Sequence, residues 1–235
     1  MSDMLYKRIL LKLSGEALKG SQEFGLDAAM LEYVACEVQK VWQSSVEIGI
    51  VIGGGNIYRG CSAINISRPA ADYMGMLATV MNSLALKAAL ERVSVPAEVM
   101  SAVSMVPICA EYMYDTAINS MQQGRVVIFA CGSGNPYFTT DTAATLRALE
   151  MSCDVLVKAT KVSGVFNKDP VRHQDAELYR RISHAEVLHQ NLGVMDKAAI
   201  ALAESHSLPI MVCSMLQEDA LAQAVSGKGT FSLIM

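Results

Sequence analysis

Two kinds of apolar pattern alternate along the chain. Short runs are apolar at almost every position, at 9–13, 46–52, 97–100, 126–131, 155–157 and 209–213. Between them lie longer stretches in which apolar residues return every three or four positions. In 26–43, Met30, Leu31, Val34, Val38 and Val41 fall on one helical stripe. The stretch 74–92 predicts a long second helix rich in Ala, Leu and Met, and 140–151 and 196–206 predict two more. A strand that is apolar throughout needs cover on both faces. Strands of that kind alternating with helices predict an α/β fold: a three-layer α/β/α sandwich around a mostly parallel sheet. Segment 162–181 breaks the rhythm, being polar with Gly164, Asn167, Asp169 and Pro170, and reads as a long ordered loop or hairpin. Neither a repeat nor a linker interrupts the pattern, so one domain over 1–235 is expected.

Composition narrows the class. Of 235 residues, 52% are hydrophobic but only 6% aromatic, so small aliphatics and 15 Met must fill the core. The net charge of −4, without a long basic run, argues against a general nucleic-acid binder. Cys36, Cys61, Cys109, Cys131, Cys153 and Cys213 are scattered without a C-x-x-C pair and read as packed free thiols. Charges at Asp3, Lys7, Arg8 and Lys12 leave no signal-peptide core. No uninterrupted apolar stretch approaches the roughly 20 residues that span a bilayer. A cytoplasmic protein without a membrane partner is expected.

Four loops could carry chemistry. Lys12-Leu13-Ser14-Gly15 ends the first apolar run, placing an ammonium beside a flexible turn; taken alone, an ordinary strand-end lysine is the favoured reading, and Walker A spacing is absent. Gly53-Gly54-Gly55-Asn56 follows the second run, with Arg59 four residues on. A tight turn rarely needs three glycines, and such amides can approach an anion closely. Gly132 to Thr142, after the fourth run, joins small residues and an aromatic pair to a row of hydroxyls that opens a helix. Lys158 to Pro170 follows the fifth. In open α/β sheets ligands bind beyond the carboxyl ends of strands, so four such loops at one edge predict a phosphate-handling site and leave the acceptor open. His173, His184, His189 and His206 fall in polar loops or on helix faces, without a serine or cysteine elbow, and are not candidate catalysts.

With these motifs assembled, the sequence resembles the bacterial UMP kinases of the amino acid kinase superfamily, from Tyr6 to about Ile234. The resemblance rests on residues 6–18, 51–56, 72–82, 134–141 and 158–162. The block from Asp72 to Asn82 is the discriminating one, because aspartate, glutamate and acetylglutamate kinases differ through it. The resemblance implies transfer of the γ-phosphoryl of ATP to UMP, with Mg²⁺ carried by the nucleotide phosphates and no metal ligand from the protein. It implies Lys12, Ser14, Gly15, Gly55, Arg59, Thr160, Phe166 and Asp169 at ATP. It implies Gly54, Asp72, Ser133, Gly134, Asn135, Pro136, Tyr137, Phe138, Thr139 and Thr140 at UMP. Lys12, Arg59, Asp141 and Lys158 would be the catalytic group. The N-terminal part would mainly hold UMP and the C-terminal part ATP. A homohexamer is implied too, with UTP as inhibitor and GTP as activator acting through Gly20, Ser21, Gln22, Glu23, Phe24 and Gly25. Ser133, Ser163 and Cys131 depart from the family pattern without removing a phosphate contact. The competing readings are another small-molecule kinase of the superfamily, acting on an amino acid or carbamate, and a nucleotide-sensing regulator with a DNA-linked role. A phosphate acceptor is already an anion near neutral pH, so direct in-line transfer needs no strong general base; what it needs is positive potential and positioning.

Overall fold

The structure, a computed structural model, describes residues 4–58 and 66–235. Its frame is a nine-stranded sheet in the order β4-β3-β5-β2-β1-β6-β10-β11-β9. The strands are β1 Arg8–Leu13, β2 Glu47–Ile52, β3 Ala97–Ser101, β4 Ala110–Glu111, β5 Val126–Ala130, β6 Val155–Thr160, β9 Arg181–Ile182, β10 Ile210–Ser214 and β11 Phe231–Ile234. All neighbours are parallel except β10 and β11. A separate hairpin, β7 Val165–Phe166 with β8 Leu178–Tyr179, lies inside the polar 162–181 segment, as that segment's composition predicts.

Side chains alternate across the strands and sort the helices into two layers. Ile9, Leu11 and Leu13 of β1 enter one core with α1 (Ala28–Trp42), α2 (Arg68–Arg92) and α7 (Ala220–Val225). Leu10 enters the other, with α3 (Tyr114–Gln122), α4 (Thr140–Glu150), α5 (His184–His189) and α6 (Lys197–Ser205). The three-layer sandwich predicted from the apolar runs is therefore the observed fold. Lys12 shares its face with Leu10, and so lies under α4.

Several elements differ from the sequence pattern. Helix α2 begins at Arg68, six residues before the predicted start at 74, because Ser67 is extended and Pro69 suits a helix's first turn. Helices α3, α5 and α7 were not predicted: at nine, six and six residues they are too short for a clear period. His184 is buried, not on a solvent face, and its Nε2–H donates to the Leu208 carbonyl at 3.0 Å. Among the described residues the cysteines are free thiols, and burial pushes those of Cys153 and Cys213 up to about 12.

Candidate active site

The register of the central strands builds the charged centre. β1 and β6 are parallel neighbours with Lys12 opposite Lys158, so the two ammonium groups project from adjacent strands onto one face. Asp141, in the first turn of α4, stands between them. Its Oδ1 is 2.7 Å from Lys12 Nζ and its Oδ2 is 2.9 Å from Lys158 Nζ. Burial opposes the charge of Asp141, but Lys12 and Lys158 outweigh it and hold the carboxyl below the usual carboxylate range. For Lys158 burial dominates and pulls its pKa below the ordinary lysine value, with Asp141 pulling the other way. Lys158 also donates to the Val194 carbonyl. Three of the four predicted catalytic residues therefore form one cluster. The fourth, Arg59, lies outside the described residues.

To one side, a cavity of 160 Å³ opens between α2 and the loop after β5. Gly54, Gly55, Asp72, Ser133, Asn135, Phe138, Thr139 and Thr140, scattered over 87 positions of sequence, line it together with Tyr58, Gly75 and Thr79. Gly134, Pro136 and Tyr137 belong to the loop but do not line this space, and Gly134 backs onto Ala102. Four residues of the loop take positive φ, at Cys131, Gly132, Gly134 and Tyr137. Two are not glycine, so the conformation is held against its local preference. Part of what holds it is Asp72, which accepts from the Tyr137 N–H at 2.8 Å and from Arg68 Nε at 2.8 Å through each oxygen. Burial opposes the Asp72 charge, while the Tyr137 amide and Arg68 lower its pKa overall.

Two larger cavities lie beyond the other end of the lysine pair. One, of 670 Å³, is lined by Lys158, Thr160, Phe166 and Asp169 with Gly193 and Val194. The other, of 680 Å³, is lined by Lys12, Ser14, Gly20, Tyr33 and Leu216, and shares Lys158 and Thr160 with the first. The predicted ATP residues are thus divided about a ridge at Lys158 and Thr160. Gly15 is packed away from both: a Cβ there would lie 2.4 Å from the Gly53 carbonyl oxygen and from Asn56 Oδ1.

The segment from Gly20 to Gly25 is an exposed turn entered and left at positive φ. It is wired to the glycine loop, for Gly25 N–H donates to the Asn56 carbonyl and Asn56 Nδ2 donates to the Gly25 carbonyl, each at 2.8 Å. Asn56 in turn exchanges amide hydrogen bonds of 3.0 and 2.7 Å with the buried Asn82, whose Nδ2 also donates to the Gly53 carbonyl. Neither asparagine was singled out from sequence. Both lie inside motifs read from sequence, Asn56 after the three glycines and Asn82 at the end of the 72–82 block, but neither was given a role there. Asp196 was also missed, because at the start of a predicted helix it reads as a cap and nothing more.

The pattern is a paired-lysine centre at the carboxyl ends of parallel strands, with two larger cavities that share Lys158 and a smaller one beside Thr140. The model of the amino acid kinase family matches residues 7–214. The chain belongs to the amino acid kinase family. It is 49% identical over 235 residues to the uridylate kinase of Helicobacter hepaticus, covering 98% of this chain and 100% of that one. It is 51% identical over 231 residues to the uridylate kinase of Vibrio vulnificus, covering 97% and 96%. Among solved structures it superposes on the UMP kinase of Bacillus anthracis with a TM-score of 0.95 at 36% identity, covering 97% and 96% of the two chains. This member of the family is a phosphotransferase.

Proposed function

We propose that the chain transfers the γ-phosphoryl group of ATP to UMP, giving UDP and ADP, by direct in-line attack of the acceptor phosphate. The observation that carries this reading is the register of Lys12 opposite Lys158, with Asp141 between them, beside a 680 Å³ cavity that both lysines line. Two polyanions brought together need positive potential that costs no rearrangement at the moment of reaction. Asp141 keeps the two ammonium groups aligned, and Lys12 and Lys158 face the phosphoryl group in flight. Thr160, Phe166 and Asp169 hold the adenosine end of ATP, and Ser14, Gly55 and Arg59 attend its phosphates, while the buried Gly15 lets the β1 turn pack against the glycine loop. The loop from Ser133 to Thr140, with Gly54 and Asp72, holds UMP.

Mg²⁺ carried by the nucleotide would neutralise charge on its phosphates. The residues present suit that arrangement, since Asp141 is already shared between two lysines. Among the described residues no three His, Cys, Asp or Glu side chains stand together as a ligand set. The enzyme works in the cytoplasm, in pyrimidine nucleotide synthesis, as a self-assembled hexamer activated by GTP and inhibited by UTP. Supporting self-assembly, Tyr73, Met74, Leu77, Met81 and Leu84 form an exposed apolar stripe along α2. Supporting regulation, the 20–25 turn is hydrogen-bonded to the glycine loop through Asn56.

The test is ADP release by the purified protein with Mg²⁺-ATP and, in turn, UMP, CMP, AMP, aspartate, glutamate and acetylglutamate. Turnover confined to UMP is expected. Turnover with an amino acid would overturn the acceptor and leave the kinase reading.

A further inference from the structure

We propose that Asp196 is a positioning residue that latches the acceptor loop to the donor half of the molecule; this rests on reading the 133–140 loop as the UMP site. Asp196 is the N-cap of α6, and its Oδ1 accepts from the Ala199 N–H at 2.8 Å. A cap needs only that one oxygen. The other oxygen crosses to a different helix, where Oδ2 accepts from Thr142 Oγ1 at 2.8 Å and also from Thr139 Oγ1. Thr139 is itself the N-cap of α4, and its Oγ1 accepts from the Asp141 N–H at 3.0 Å. With its proton directed to Asp196 and its lone pairs toward α4 amides, the Thr139 hydroxyl serves the latch rather than the acceptor. Thr140, whose Oγ1 lies beside Gly53, is left to supply a hydroxyl to UMP.

The position of Asp196 also answers an electrostatic problem. The N-termini of α4 and α6 carry partial positive charge and would repel if brought together bare; a carboxylate shared between them turns that repulsion into attraction. The residues just before it face the donor, since Gly193 and Val194 line the 670 Å³ cavity and the Val194 carbonyl accepts from Lys158. Residues 193–196 therefore run as a strap from the donor cavity, past the reactive lysine, to the mouth of the acceptor loop. Through it the separation of the two substrates is set by one side chain.

The test compares Asp196→Asn, Thr142→Val and Ser183→Ala with the unaltered protein, measuring kcat, KM for UMP and for ATP, and the melting temperature. Asn keeps the oxygen that caps α6 but puts an NH₂ where Thr139 and Thr142 need an acceptor. Ser183→Ala removes the cap of α5, a helix whose cap makes no bond to the loop, as a control for helix loss alone. The expected result is a rise of about tenfold or more in KM for UMP in both latch variants. KM for ATP should stay within about twofold, and the Ser183→Ala KM values should be unchanged. An unchanged KM for UMP in both latch variants would overturn the latch. So would losses for both substrates that merely follow melting temperature across all three variants. If the unaltered protein does not turn over UMP, the functional reading fails separately. The latch is then decided by hydrogen exchange across 132–139, which Asp196→Asn must accelerate if Asp196 holds that loop and leave unchanged if it does not.

Discussion

At the scale of single residues, the charged centre separates stability from chemistry. Lys12→Ala leaves Asp141 still paired with Lys158, so the melting temperature should fall little, while kcat should drop by about 10²- to 10³-fold. Comparable losses in both would mean that Lys12 is a structural lysine. Asp141→Asn does the reverse to the charges, leaving two buried ammonium groups side by side without their counter-ion. It should destabilise the free protein by about 3–5 kcal/mol. Inorganic tripolyphosphate should then raise the melting temperature of the variant more than that of the unaltered protein, because the anion replaces the lost carboxylate; a smaller rise would count against Lys12 and Lys158 as the phosphate contacts. His184 belongs to the same scale although it is far from the chemistry. Burial lowers its pKa below that of an ordinary histidine, with the Leu208 carbonyl partly offsetting this. For a depressed folded pKa, the stabilising contribution is present above the unfolded pKa and is lost as pH falls through the folded one. The urea midpoint should therefore decline below about pH 6.5. In His184→Gln, which keeps a donor for Leu208, that part of the slope should vanish.

Among the elements, the junction of β2 with α2 allows least change. A Cβ on Gly54 would come within 2.7 Å of the Gly75 carbonyl oxygen and 2.8 Å of the Ala78 Cβ, both held inside α2. Gly54→Ala should cost about 1–3 kcal/mol through this overpacking. A Cβ on Gly55 would meet only Glu16 Oε1 at 3.7 Å, so Gly55→Ala should melt within a degree or two of the unaltered protein. Equal melting shifts would show that the α2 contact is soft. The glycines, the lysine at the end of β1 and the hydroxyl row before α4 were legible in sequence because each is a local pattern after an apolar run. What was not legible is what strand register and helix crossing decide. Nothing local tells Lys12 that it will stand opposite Lys158, or Asn56 that it will pair with Asn82. The short helices α3, α5 and α7 escaped for a related reason: they owe their form to packing against the sheet, not to a period of their own.

The whole molecule is organised around its first strand. β1 lies at the centre of the nine-strand order, between β2 and β6, and the substrate-lining loops leave the strands on either side of it. On the outer surface the α2 stripe gives a test of assembly. Leu77→Lys with Met81→Glu should reduce the mass measured by light scattering without lowering the melting temperature of the released subunit below that expected for surface substitutions. An unchanged mass would count against the α2 stripe as the proposed assembly face. The central place of β1 also constrains how the protein comes into being. Residues 8–13 leave the ribosome before the other strands of the sheet, and β2 to β5 can be laid down early on one side of them, but their other partner, β6, begins only at 155. Through much of synthesis one edge of β1 therefore waits unpaired, an apolar ribbon that invites association with other chains. Because Lys12 meets Lys158 only when that edge closes, the nascent chain cannot form its lysine pair before most of the sheet is in place.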